Sequence, residues 1–159
     1  MTNKLFFLTC FISGIILLSG CTSEEKIARA RAFEFDSGGV YHPQGHGGWK
    51  IELDAEGKFS ITHNVQSKVK EYGTFLLTEE ENSDMWELID TLDIGDMKSS
   101  ERARIPDEIE YAFTLKDEEQ IYSRKILIND APKNDNITTL IDYIIILIEE
   151  YTGERPFLR

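Results

Sequence analysis

The sequence predicts an α+β domain in two layers, a mainly antiparallel sheet with two helices packed on one face, in the order β-β-β-β-α-β-β-α. Three observations carry this. Short stretches alternate apolar and polar residues, which gives a sheet one wet and one dry face. Gly or polar turns separate those stretches at hairpin spacing. Two longer stretches repeat apolar residues at helical spacing and so can cover the dry face.

The first strand is Phe33-Glu34-Phe35-Asp36, stopped by Ser37-Gly38-Gly39. Trp49, Ile51 and Leu53 then alternate with Lys50, Glu52 and Asp54, and Phe59 and Ile61 with Ser60 and Thr62. Gly57 lies between them and supplies the turn of a β-hairpin. A further strand runs from about Val69 to Leu77, and Gly73 inside it signals a bulge or a close backbone contact. Thr78-Glu79-Glu80-Glu81 is a capping box whose three acids suit the positive end of a helix dipole. Met85, Trp86, Ile89 and Leu92 share a face of this helix, which runs to about Asp93.

Residues 94–107, with Gly95, Ser99, Ser100 and Pro106, read as a long connection. Its basic pair, Arg102 and Arg104, is either an anion contact or a local balance of charge. Ile109 to Lys116 and Ile121 to Ile128 form a second hairpin around residues 117–120. Residues 134–136 offer N-caps, and Ile137, Leu140, Ile141, Ile144, Leu147, Ile148 and Tyr151 make a broad helical stripe that Gly153 ends.

The amino terminus has the three parts of an export signal: Met1-Thr2-Asn3-Lys4, an apolar run from Leu5 to Leu18, and small residues. The run is shorter than the roughly 20 apolar residues of a membrane span. It ends in Leu18-Ser19-Gly20-Cys21, which resembles the lipobox of bacterial lipoproteins. The resemblance implies cleavage between Gly20 and Cys21, a diacylglycerol on the Cys21 sulfur, and acylation of the new amino terminus. It divides the chain into a cleaved leader (1–20), a lipidated tether (21–32) and one domain (33–159). Thr22 replaces the aspartate that retains lipoproteins at an inner membrane, so the outer membrane is favoured where two are present. Of the two cysteines, Cys10 leaves with the leader and Cys21 carries lipid, leaving the domain no thiol for a disulfide, a metal or a nucleophile.

The chain carries 17 basic and 29 acidic residues, a net charge of −12. Loss of the leader removes Lys4 and makes the balance 16 against 29, or −13. Such a surface repels nucleic acid and anionic head groups, and no basic cluster or nucleic-acid motif offsets it. It suits solubility beside a membrane or a basic partner. No P-loop, G-x-S-x-G or H-E-x-x-H is present, and the sequence implies no cofactor.

The stretch from Ser37 to Trp49 is the candidate binding loop, with Ser37, Gly38, Gly39, Tyr41, His42, His46 and Trp49 as its candidate contacts. Five of the eleven glycines fall within it, which permits positive φ and close approach of a partner to the backbone. His42 and His46 share it, and with His63 or Asp36 they would form a zinc site in the alternative reading, a metal-dependent envelope enzyme. A purely structural lipoprotein is the third reading.

Four pieces of the domain recur in one order in another group of proteins. They are Phe35-Asp36-Ser37-Gly38-Gly39, Tyr72-Gly73-Thr74 before the capped helix, Pro106-Asp107-Glu108-Ile109-Glu110-Tyr111, and the closing amphipathic helix. In this the domain resembles the emfourin-type inhibitors of thermolysin-like metallopeptidases. The resemblance implies a non-enzymatic module that binds a peptidase. The chain departs from that pattern in its lipid anchor and its longer glycine and histidine insert.

Overall fold

The computed structural model describes residues 30–39, 45–66 and 68–158. The expected cleavage site, Cys21, the tether as far as residue 29, and the loop residues Tyr41 and His42 lie outside the described residues.

The alternating stretches form six strands: β1 (Arg31–Asp36), β2 (Gly48–Asp54), β3 (Lys58–Val65), β4 (Lys68–Leu76), β5 (Glu110–Asp117) and β6 (Gln120–Leu127). They make one sheet in the order β4-β3-β2-β1-β5-β6, antiparallel throughout. α1 (Glu79–Leu92) separates β4 from β5, and α2 (Asp135–Thr152) closes the domain, so the predicted order of elements is the observed one. The first strand begins two residues before Phe33. Arg31 fixes that start, because its guanidinium reaches Asp90 and lies 4.4 Å from the centre of the Trp86 ring.

Register follows from the alternation. Phe33 pairs with Leu53 and Leu115, and Phe35 with Ile51 and Phe113, which puts all six side chains on the dry face, all buried. Met85, Ile89 and Leu92 of α1 and Leu140, Ile144 and Ile148 of α2 complete this core. Each such side chain is worth about 1.5–3 kcal/mol when removed from water. The wet face carries Lys50 Nζ between Glu34 (3.2 Å) and Glu52 (2.8 Å), with the hydroxyl pairs Ser60–Thr74 (2.8 Å) and Thr114–Ser123 (3.2 Å) to either side.

The caps expected from the sequence set the helix ends. Thr78 Oγ1 accepts from the Glu81 N–H, and the Glu81 carboxylate accepts from the Thr78 N–H (2.7 Å). Asn134 Oδ1 accepts from the N–H groups of Asn136 and Ile137, and Gly153 ends α2 at φ 72°. The Tyr151 hydroxyl near the end of α2 donates to Glu81 at the start of α1, while Asn136 near the start of α2 donates to the Thr91 carbonyl near the end of α1. The two helices are therefore antiparallel. In β4, Tyr72 is the extra residue between the Ile61–Gly73 and Thr62–Glu71 pairs, so Gly73, at φ 99°, marks the bulge. No helix among the described residues is long and apolar enough to cross a membrane.

Candidate functional site

β1 lies at the centre of the sheet and divides the domain into two ends. At its first residues the chain is clamped on both sides: the Ala30 carbonyl accepts from the Glu118 N–H (3.0 Å), and the Arg31 carbonyl from the Ala55 N–H (3.1 Å). Glu56, Glu118 and Glu119 are exposed around this entry end. The candidate loop leaves from the other end of β1, about 20 Å away at roughly 3.3 Å per residue.

The base of that loop is built into the fold. Ser37 is buried, and its N–H donates to the Trp49 carbonyl (2.9 Å) while its Oγ accepts from the Trp49 N–H (2.8 Å). Asp36 Oδ1 accepts from the Gly38 N–H at 2.7 Å, an Asx-type turn that starts the loop. Gly38 (φ 61°) lies so close to β5 that a Cβ there would stand 2.6 Å from the Glu110 carbonyl oxygen. At the returning end, a Cβ on Gly47 (φ 72°) would meet Val65, the Asn64 carbonyl and the His63 ring at 2.5–2.7 Å. Gly45 has a similar φ of 73° but open space around it. Gly45→Ala is therefore expected to cost about 1 kcal/mol from backbone strain alone, and Gly47→Ala clearly more. Urea unfolding of the two variants measures the difference, and equal costs would show that the returning end is not packed as described.

The ring of Trp49, 3 % exposed, is stacked on His63 at 4.1 Å and 7° and faces Tyr72 at 5.6 Å. His63 Nε2 is 2.9 Å from the His46 carbonyl oxygen, so it carries the proton and donates. The His46 ring in turn stacks on Phe157 at 4.4 Å. Lys70 Nζ sits 4.2 Å over the Tyr72 ring and pairs with Glu154, whose carboxyl it holds below the usual range. An aromatic stack thus ties the returning loop to β3, β4 and the segment after α2. Phe157 remains 57 % exposed at its rim.

No protein-family model matches the chain, and no curated protein matches it. On the outgoing side of the loop, Gly38 packs on Glu110, and the Cβ position of Gly39 is 3.4 Å from the Ile109 side chain.

The predicted site residues therefore divide. Ser37, Gly38, Gly39 and Trp49 form the base, His46 sits at the returning rim, and Tyr41 and His42 lie outside the described residues. His63 is engaged with the His46 backbone, and a metal at its Nε2 would displace that bond. Among the described residues no three His, Cys, Asp or Glu side chains are grouped to hold a metal ion. Tyr72, Lys70, Glu154 and Phe157 were not expected here; they come from distant segments, and only strand register and the path after α2 bring them to the loop.

Of the basic pair of the connection, Arg102 balances local charge and Arg104 bonds the backbone. Arg102 forms a two-pronged pair with Glu108, whose side chain is fully buried, and its Nε reaches Asp130 at 3.0 Å. Arg104 Nε donates to the Glu108 carbonyl. Arg102 first, then the N–H groups of Ile105 and Asn129, outweigh burial and hold the Glu108 carboxyl at about 2. Lys133 first, with Ser100 and Arg102, holds Asp130 at about 2.

Proposed function

We propose that the chain is a lipid-anchored lipoprotein of the bacterial cell envelope, and that its domain is a non-enzymatic module binding a protein partner through the loop of residues 37–48. One observation carries this reading: the chain enters the domain at one end of β1, and the loop leaves from the other end on a base packed at both of its margins. A tether to Cys21 holds the entry end of β1 towards the bilayer and points the loop outward. The packed base lowers the ordering cost that a flexible loop incurs on binding. Two or more acyl chains, at about 0.8 kcal/mol per buried CH₂, hold such a domain stably at the membrane. A secreted or envelope peptidase is the partner that the emfourin-type resemblance implies.

Two measurements test the reading. Cells fed labelled palmitate are expected to label the wild-type chain and not Cys21→Ser; an unlabelled wild type removes the anchor. Immobilised residues 22–159, which contain all the strands, helices and core side chains of the described residues, are expected to retain an envelope protein. A version with residues 40–44 replaced by a Gly/Ser stretch of equal length should lose it. Retention of the same protein by both versions excludes the loop, and retention by neither removes the binding function.

A further inference from the structure

A second feature lies beside the loop base. A pocket of about 230 Å³ opens between the end of β6, the turn Ala131–Lys133 and the first half of α2. Buried Tyr111, Ala131 and Ile141 line it together with Ile128, Thr138 and the exposed Pro132. Its polar neighbours are engaged within the chain: Thr138 Oγ1 donates to the Asn134 carbonyl, and Asn129 Nδ2 donates to Glu108 at 2.9 Å. What the pocket offers a ligand is mainly apolar surface. A dry apolar cavity of about 150 Å³ takes a benzene ring, so this volume takes one aromatic ring with its methylene.

One backbone hydrogen bond joins the lining of the pocket to the strand end on which the loop base packs. The Ile128 N–H donates to the Ile109 carbonyl (3.1 Å), and Ile109 and Glu110 are the residues against which Gly39 and Gly38 pack. Tyr111, next along β5, lies in the pocket, its ring 5.6 Å from that of Phe35. A protein held on the loop thus has the pocket within reach of one side chain. Aromatic side chains are the usual anchors of such contacts, and the Tyr111 ring gives one a face or edge to meet.

We propose that this pocket receives a single aromatic side chain from the protein bound at the loop. The source of the ring rests on the loop reading; the capacity of the pocket does not. The test uses N-acetylphenylalaninamide as the probe and N-acetylalaninamide as the control, followed through the methyl resonances of residues 22–159. Saturable shifts are expected at Ile128, Ala131, Thr138 and Ile141 with the aromatic probe and not with the control. Thr138→Phe fills the pocket from α2, and Pro132→Trp covers it from an exposed position that the core does not use. Either is expected to weaken the probe at least about tenfold, or 1.4 kcal/mol. The absence of saturable shifts, or shifts unchanged in both variants, overturns the proposal. Ring binding without any loop-dependent partner would keep the pocket and remove the loop reading, and a loop-dependent partner without ring binding would do the reverse.

Discussion

Trp49→Ala is expected to destabilise the domain by about 3–5 kcal/mol, the usual cost of truncating a buried aromatic side chain. That is a large share of the roughly 5–15 kcal/mol by which domains are stable. Trp49 is 3 % exposed, and its ring is stacked on His63 and faces Tyr72. Its backbone holds Ser37 in two hydrogen bonds, so the cavity opens directly under the loop. The consequence reaches function. A partner lost on Trp49→Ala reports a collapsed base, whereas one lost on replacement of residues 40–44 reports contact. Trp49→Phe, which keeps an apolar ring, should retain much of the stability. Urea unfolding distinguishes the cases, and a cost below about 1 kcal/mol for Trp49→Ala would show that the residue is not part of the core.

The strands and helices were legible because their signals are local. Alternation placed Trp49, Ile51 and Leu53 on one face, Gly57 and Gly73 marked a turn and a bulge, and Thr78, Glu81, Asn134 and Gly153 set helix ends through bonds to neighbouring residues. The same alternation already argued that Trp49 belongs to the sheet, yet its place beside a glycine-rich stretch also made it a candidate contact. The site was less legible because its contacts are remote. Gly38 meets Glu110, Lys70 meets Glu154, and His46 meets Phe157. Strand register and the path after α2 decide such meetings, and periodicity says which face a residue takes but not which neighbour it finds there. Glu108 is the clearest case. In a chain with 29 acidic residues nothing local sets it apart, and its burial depends on Arg102 and on Asn129 from the far end of the second hairpin.

Glu108→Ala is expected to lower the melting temperature by on the order of 10 °C, because breaking a buried ion pair leaves the remaining partner's charge and several donors without it. The carboxylate accepts from Arg102, from the N–H groups of Ile105 and Asn129 and from the Asn129 amide. Asp130 joins the same knot through Arg102, Lys133 and Ser100, and Ser100 in turn bonds Lys125 and Leu127 along the outer edge of β6. Loss of Glu108 therefore loosens the connection that covers this edge as well as the start of β5. Glu108→Gln keeps the shape but not the charge and should fall between the wild type and the alanine variant. The same knot predicts an acid limit. Glu108 and Asp130 both titrate at about 2 in the folded protein, against about 4 in an unfolded chain. Below pH of about 4 the unfolded state takes up protons that the native state refuses, so the stability these groups confer is complete above that range and lost as pH falls through about 2. The stability difference between wild type and Glu108→Ala should accordingly be constant from pH 7 to about 5 and shrink as pH falls from about 4 towards 2. Taking the difference cancels the acid response shared by the other carboxylates. A gap that stayed the same width down to pH of about 2 would mean that Glu108 contributes through packing rather than through its charge.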